Sequence, residues 1–372
     1  MKVLITGGAG FIGSHLADRL LAAGHEVRAL DALDPQVHPT GRPDYLDGQV
    51  ELVVGDVADR AAVAAALEGA DAVVHLAATV GVGQSMYEIE RYARTNTIGT
   101  AILLEEVVQR RDRVSKLVVA SSMSVYGEGQ YANPRTGESG LAPPPRPIEQ
   151  LRRQEWELRE PGGDPLDPEA TAETKSLAPQ SVYAIGKRDQ EELTLTVGAA
   201  YGIPAVALRL FNTYGPRQAL ANPYTGAVAI FATRLRNGRA PIVFEDGRQT
   251  RDCVHVADVA RAFATVLESS AADGRVLNVG TGKAVTVASL ATTIAETLGA
   301  SIEPEILGEF RPGDVRHCYA DVRLARELVG FEAEIALADG IPDVVEWIGE
   351  ATPEDHADAA LAELVSRGLI SG

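Results

Sequence analysis

A glycine-rich turn, Gly7-Gly8-Ala9-Gly10-Phe11-Ile12-Gly13, follows the apolar segment Lys2–Ile5 and opens a helical pattern from Ser14 to Ala23. It satisfies G-x-G-x-x-G from Gly8 and G-x-x-G-x-x-G from Gly7. Glycines at these spacings let the chain turn tightly from strand to helix. They also let a pyrophosphate reach backbone N–H groups at the helix N-terminus. A glycine turn by itself also serves ordinary tight loops, so the context decides. Asp31 ends the next apolar segment, 18 residues past Gly13, where a carboxylate can accept hydrogen bonds from an adenosine ribose. Ala32 and Leu33 follow it, with no Arg or Lys to compensate a 2′-phosphate. The pattern specifies a strand–turn–helix that binds NAD in preference to NADP.

The segments that follow extend this unit. Glu26–Leu30, Val50–Val54, Ala72–Ala77, Lys116–Ser121 and Ala205–Leu210 read as short buried strands, and Ala61–Leu67 and Val182–Ala200 as helices. Such alternation predicts an α/β fold, a Rossmann-type doubly wound parallel sheet. We assign residues 1–210 to this NAD-binding domain, with an inserted excursion over 128–178. A smaller α+β nucleotide-sugar-binding domain is expected over 211–348, partly interleaved with the first and carrying strands near Ile242–Phe244 and Val276–Val279. A tail helix is expected over 349–372, around Ala359–Ser366. The excursion is broken by Pro134, Pro143-Pro144-Pro145, Pro147 and Gly162-Gly163, and one helix, Ile148–Arg159, is expected in it.

Bulk properties restrict the partners. The chain has 372 residues and a formal net charge of −18, which argues against nucleic-acid binding. No apolar run approaches the ~20 residues of a membrane span, and no signal-peptide pattern opens the chain. Cys253 and Cys318 can supply neither a disulfide framework nor a four-ligand metal site. A cytoplasmic protein without a metal centre is the expectation.

Tyr183 and Lys187 are four residues apart on a predicted helix and share one face. An ammonium near a phenol favours the phenolate. Ser122 closes the strand Leu117–Ser122 at the carboxyl edge of the sheet, where ligands bind in open α/β folds. It is placed to hold a substrate hydroxyl beside Tyr183 while NAD takes a hydride. His75 and His255 read as structural histidines.

Four motifs together resemble the nucleotide-sugar epimerase branch of the extended short-chain dehydrogenase/reductases. They are Thr6–Gly13, Ser121-Ser122-x-x-Val125-Tyr126-Gly127, Tyr183-x-x-x-Lys187 and Leu210-Phe211-Asn212-x-Tyr214-Gly215-Pro216-Arg217. The resemblance covers roughly residues 1–348. It implies that Ser122, Tyr183 and Lys187 form the catalytic triad. It implies a cofactor site of Gly7, Gly10, Phe11, Ile12, Gly13, Asp31, Asp56, Val57, Leu76, Ala77, Ala78, Asn96 and Ser121, together with Tyr183 and Lys187. The nucleotide sugar would meet Ser122, Tyr183, Asn212, Val228, Phe244, Arg251, Arg311 and Asp314. Each arginine can fork onto phosphate oxygens, and the competing reading is that Arg251-Asp252 and Arg311/Asp314 are structural ion pairs. A homodimer joined through the helices at Asn96–Val108 and Tyr183–Ala200 is also implied.

Within that family, dehydratases and decarboxylases resemble one another in placing carboxyl groups after the triad serine. Met123 and Ser124 stand there in this chain. C4 epimerisation needs only the triad and NAD. Uronate epimerases resemble Gly-Val-Arg where this chain has Gly81-Val82-Gly83-Gln84, so a neutral or deoxy sugar is expected. The excursion and the segment Gln218–Phe231, with Asn222-Pro223-Tyr224-Thr225-Gly226, look most like dTDP-L-rhamnose 4-epimerases. UDP-hexose or UDP-uronate epimerisation remains an alternative, as do a non-catalytic NAD-binding regulator and a net dehydrogenase or reductase. The excursion is expected to fold over the sugar as a lid.

Overall fold

The computed structural model describes residues 1–160, 162–220, 222, 226–350 and 355–370. Pro223, Tyr224 and Thr225 of the substrate-like segment, and Pro353-Glu354 before the tail helix, lie outside the described residues.

Seven parallel strands form the main sheet: β1 (Lys2–Thr6), β2 (Glu26–Asp31), β3 (Glu51–Val54), β4 (Ala72–His75), β5 (Leu117–Ser122), β6 (Ala205–Leu210) and β7 (Val276–Val279). Their order across the sheet is β7-β6-β5-β4-β1-β2-β3. The order reverses between β1 and β4, so the carboxyl ends of these two strands open the crevice in which doubly wound sheets hold ligands.

Alternating side chains of each strand feed two cores. Val3, Ile5, Val27 and Ala29 pack on one face with Leu16, Leu20 and Phe263. These contacts bring in α1 (Phe11–Ala22) and the helix Val256–Glu268. Leu4, Leu30, Val73 and Leu117 pack on the other face with Val63, Leu103 and Val107. There α2 (Arg60–Ala66) and α3 (Gly99–Val108) cover the sheet. The helix α4 (Val182–Tyr201) lies over β5 and β6. Strands buried on both faces need continuous apolar runs, which explains why they were legible in the sequence.

Val276–Val279, expected in the second domain, instead completes the main sheet by pairing with β6. Its apolar run suits an edge covered by the helix Arg323–Val329. The smaller unit has its own core of Tyr214, Val228, Phe231, Leu235, Leu290, Ile294, Ile341 and Val344.

The excursion also differs from expectation. Its helix is only Ile148–Arg152, and Gln154 at φ 56° ends it. The remainder folds as a three-stranded antiparallel sheet of Gln130–Asn133, Glu138–Leu141 and Asp167–Glu169. An ion network pins this insertion to the second half of the chain. Buried Arg146 donates to Glu245 at 2.9 Å and 3.0 Å and to the carbonyl of Asp314 at 2.9 Å. Fully buried Arg316 binds Glu245 at 2.9 Å and Asp246 at 2.6 Å, and also pairs with Glu157. Trp156, Leu151 and Phe310 add an apolar contact beside it.

Candidate active site

The dinucleotide loop is built so that only glycine fits. Gly7 has φ 71°, and a Cβ there would stand 2.9 Å from the nitrogen of Ala77. A Cβ on Gly13 would stand 2.3 Å from the Gly7 carbonyl oxygen. Strand, turn and helix therefore approach one another as closely as backbone permits, leaving the N-terminus of α1 open to a phosphate. Asp31 fastens the loop from the other side, its two oxygens accepting from Ala9 N at 3.0 Å and Leu33 N at 2.9 Å. A carboxylate has about four acceptor directions, so capacity remains for ribose hydroxyls. Tyr45 closes over the same turn through a hydrogen bond to the Ala9 carbonyl at 3.2 Å.

Other cofactor candidates line the same crevice. Leu76, Ala77 and Ala78 leave the end of β4, and Ala77 N donates to Thr6 Oγ1 at 3.2 Å. Asn96 is fully buried in one turn of π-helix, Ala93–Ile98, and grips both the N–H and the carbonyl of Thr79. Single π-turns mark functional sites often enough to be a signal. Val57 packs against Gly99, and Asp56 caps its own turn at Ala58 N. Ser121 Oγ is buried with no hydrogen-bond partner. That orphaned polar atom, the loop that only glycine can form and the open carboxylate acceptors fit NAD.

Ser122, Tyr183 and Lys187 converge beside this crevice. Ser122 ends β5 and its hydroxyl oxygen accepts from Ser124 N and Ser124 Oγ, at 3.2 Å and 2.9 Å. Ser181 caps α4 by accepting from Ala184 N, which fixes the helix start two residues before Tyr183. The phenol hydrogen-bonds to Ser122, while burial pushes its pKa up to about 12. Lys187 donates to the Ala120 carbonyl and to Gln190 Oε1, both at 2.8 Å, and burial lowers its pKa to about 7. Burial thus favours the protonated phenol and opposes the charge on the lysine.

Gln190 was missed in the sequence. It is fully buried, receives Lys187 and donates to the Ala77 carbonyl at 3.1 Å, tying the triad lysine to the cofactor strand. Its spacing of three from Lys187 and seven from Tyr183 was the available signal. His75, held between Thr6 at 2.7 Å and Thr100 at 2.8 Å, is kept neutral by burial, its pKa about 3. His255 accepts from Ala257 N and caps the following helix.

The second-half candidates divide. Phe244, Arg311, Asp314 and Arg251 come together: Arg311 lies 4.6 Å over the Phe244 ring and pairs with Asp314 at 2.7 Å. Arg251 stands 3.7 Å from Asp314, and its guanidinium also donates to the carbonyls of Thr250, Val315 and Arg316. It does not pair with Asp252, which instead gathers Thr281, Gly282 and Ala320. Asn212 Oδ1 is buried without a partner. Val228 is packed into the second core, 4% exposed. Cys253 and Cys318 are free and buried in separate clusters.

A parallel sheet with a glycine cradle at its reversal and a Ser–Tyr–Lys group beside it defines a dinucleotide-dependent oxidoreductase scaffold. The chain belongs to the NAD dependent epimerase/dehydratase family, which matches residues 3–150 and 160–280. It is 36% identical to dTDP-L-rhamnose 4-epimerase of Burkholderia thailandensis over 94% of this chain and 95% of that protein. Among solved structures, UDP-glucose 4-epimerase of Thermotoga maritima with UDP-glucose superposes with TM-score 0.77 at 30% identity, covering 94% of this chain and 99% of that one. UDP-glucose 4-epimerase of Thermus thermophilus, in complex with NAD, gives TM-score 0.75 at 31% identity, covering 95% and 100%. The chain is an NAD-dependent enzyme of this epimerase/dehydratase type.

Proposed function

We propose that the protein is a nucleotide-sugar 4-epimerase acting on a dTDP-6-deoxyhexose of the dTDP-L-rhamnose type, with Ser122, Tyr183 and Lys187 as its reacting group. One observation carries the choice of reaction. The positions after Ser122 hold Met123, which is buried, and Ser124, which donates to Ser122, so no carboxyl group stands there to eliminate water or assist decarboxylation.

NAD, when bound, supplies the hydride acceptor and donor at C4. Ser122 orients the 4-hydroxyl, and Tyr183 takes its proton as the C–H bond breaks. Lys187, one helical turn on, favours the phenolate when it carries its proton. Gln190 and the Ala120 carbonyl hold that amine in place. Tyr183 gives the proton back after the ketone has turned. The residues of the dinucleotide loop, Asp31, Asp56, Val57, Leu76, Ala77, Ala78, Asn96 and Ser121 would hold the cofactor, and Arg251, Arg311 and Asn212 the diphosphate.

The dTDP-sugar assignment is supported by the relative from Burkholderia, and the absence of a cation in Gly81-Val82-Gly83-Gln84 favours a neutral or deoxy sugar over a uronate. Incubation with a panel of dTDP- and UDP-sugars, read for C4 stereochemistry by NMR, tests it. Inversion of dTDP-L-rhamnose or a close 6-deoxy analogue is expected, and turnover of UDP-sugars alone would overturn the substrate. The protein would work as a cytoplasmic homodimer. On the two helices expected to join it, Leu103 and Val107 belong to the intrachain core, whereas Ile98 and Ile185 are 52% and 48% exposed. The excursion, anchored by Arg146 and Arg316, would act as a fixed wall of the sugar pocket and not as a hinged lid.

A further inference from the structure

The tail helix, Ala357–Ser366, is fastened at both ends to different halves of the molecule. At its start, Asp358 receives Arg234 and Arg239, each at 2.6 Å, and Asp355 adds contacts at 3.5 Å and 3.4 Å. Arg234 belongs to the helix Ala227–Arg236 of the second core. At its other end, Leu364 is 7% exposed and sits on Gly83, where a Cβ would lie 3.2 Å from Leu364 Cδ2. Arg367 lies 4.2 Å over the ring of Tyr87. The tail therefore bridges the second domain and the 81–87 segment that leaves β4.

That segment is close to the chemistry. Its helical turn, Val82–Ser85, packs against α4, which carries Tyr183. Tyr92 ties it inward, its hydroxyl donating to the Val80 carbonyl at 2.9 Å with Gln84 Oε1 3.3 Å away, and the helical turn Ile89–Tyr92 also packs against α4. Gly81 has φ 131°, a conformation a side chain resists, so the segment gains little rigidity from its own backbone preferences. Leu364 adds a contact to it from outside the segment.

We infer that the C-terminal helix is a positioning element of the active site, with Leu364 as the residue that seats the 81–87 segment beside Tyr183. Removing the leucine methyls leaves Gly83 facing a gap, because glycine has no side chain with which to fill it. The segment then samples more open positions, sugar binding weakens, and the Tyr183–Lys187 geometry on α4 stays intact. The kinetic consequence rests on the epimerase reading; the structural one does not.

The test compares full-length protein with Leu364→Ala and Leu364→Met, each loaded with NAD. Amide exchange of peptides covering 80–88 should speed up about tenfold or more in Leu364→Ala, with 117–126 and 182–190 unchanged, and Leu364→Met should restore protection. With an accepted nucleotide sugar, KM should rise about tenfold in Leu364→Ala while kcat stays within about threefold. Unchanged exchange at 80–88, or faster exchange throughout the molecule, overturns the inference, as does a loosened segment with unchanged KM. The exchange arm needs no sugar, so it still decides if every sugar tried proves inert and the epimerase reading fails.

Discussion

Lys187 gives the sharpest handle on the site because burial opposes its charge. Burial lowers the pKa of the folded amine from the usual 10.5 to about 7, and among the described residues no carboxylate faces it to repay the desolvation. Its described partners are both neutral oxygens, those of Ala120 and Gln190. At about 1.4 kcal/mol per pH decade, holding the charged form in the folded chain costs on the order of 5 kcal/mol. The sign follows from proton counting. Between about 7 and 10.5 the unfolded chain binds a proton that the folded chain has released, so stability rises with pH across that window. The cost is fully present below about 7 and is gone above 10.5. Lys187→Met cannot titrate, and the hydrogen bonds it forfeits are a loss independent of pH. Urea unfolding of NAD-free wild type and Lys187→Met from pH 6.5 to 10 should therefore give curves that diverge, wild type gaining several kcal/mol on the variant. Parallel curves would show that the amine is solvated or paired, and the account of a resting, near-neutral lysine would be wrong.

Tyr183→Phe removes the proton acceptor and keeps the ring, so turnover should fall by on the order of 10² or more with the melting temperature preserved; retention of most activity removes Tyr183 as the base. Arg311→Ala should weaken nucleotide-sugar binding by about 10- to 100-fold in calorimetry and leave NAD binding unchanged, since its partners are Asp314 and the face of Phe244. Equal loss for both ligands would return the residue to a structural role. Arg146→Ala should destabilise the chain by about 3–5 kcal/mol in urea and expose the 128–178 insertion to proteolysis, because Glu245 loses one of its two buried arginine partners. Unchanged stability would mean that the insertion is anchored elsewhere.

Much of the fold was legible because parallel strands buried on both faces must be apolar throughout, and the glycine loop has no alternative sequence. Asp31, Ser122, Tyr183 and Lys187 were legible for a similar reason: their spacing along a strand end or helix face already fixes their neighbourhood. The insertion was not. Its strands Gln130–Asn133 and Glu138–Leu141 are short and polar, and they form because Gln130–Asn133 pairs on both sides, with Glu138–Leu141 and with Asp167–Glu169, while Gln130 N donates to Thr171 Oγ1. Val276–Val279 was misplaced because an edge strand's sheet is decided by a crossover from Val256–Glu268, which spacing does not encode. The competing reading of Arg251-Asp252 as an ion pair fails because folding turns the two apart, one to the 315–316 carbonyls and the other to 281–282 and 320. The tail helix was expected, but nothing in its sequence names Gly83 as its seat.

In the proposed epimerisation C4 is oxidised and reduced again within one occupied site, with Tyr183 moving only the hydroxyl proton. The most direct measurement uses dTDP-6-deoxyhexose carrying deuterium at C4, epimerised in ordinary water and followed by NMR and mass spectrometry, with the unlabelled sugar run in D₂O as its mirror. The label should stay at C4 with its face inverted, no solvent deuterium should enter C4 or C5, and no stoichiometric NADH should accumulate. Loss of the C4 label, solvent deuterium in the ring, or ketone released in step with NADH would contradict that reaction course.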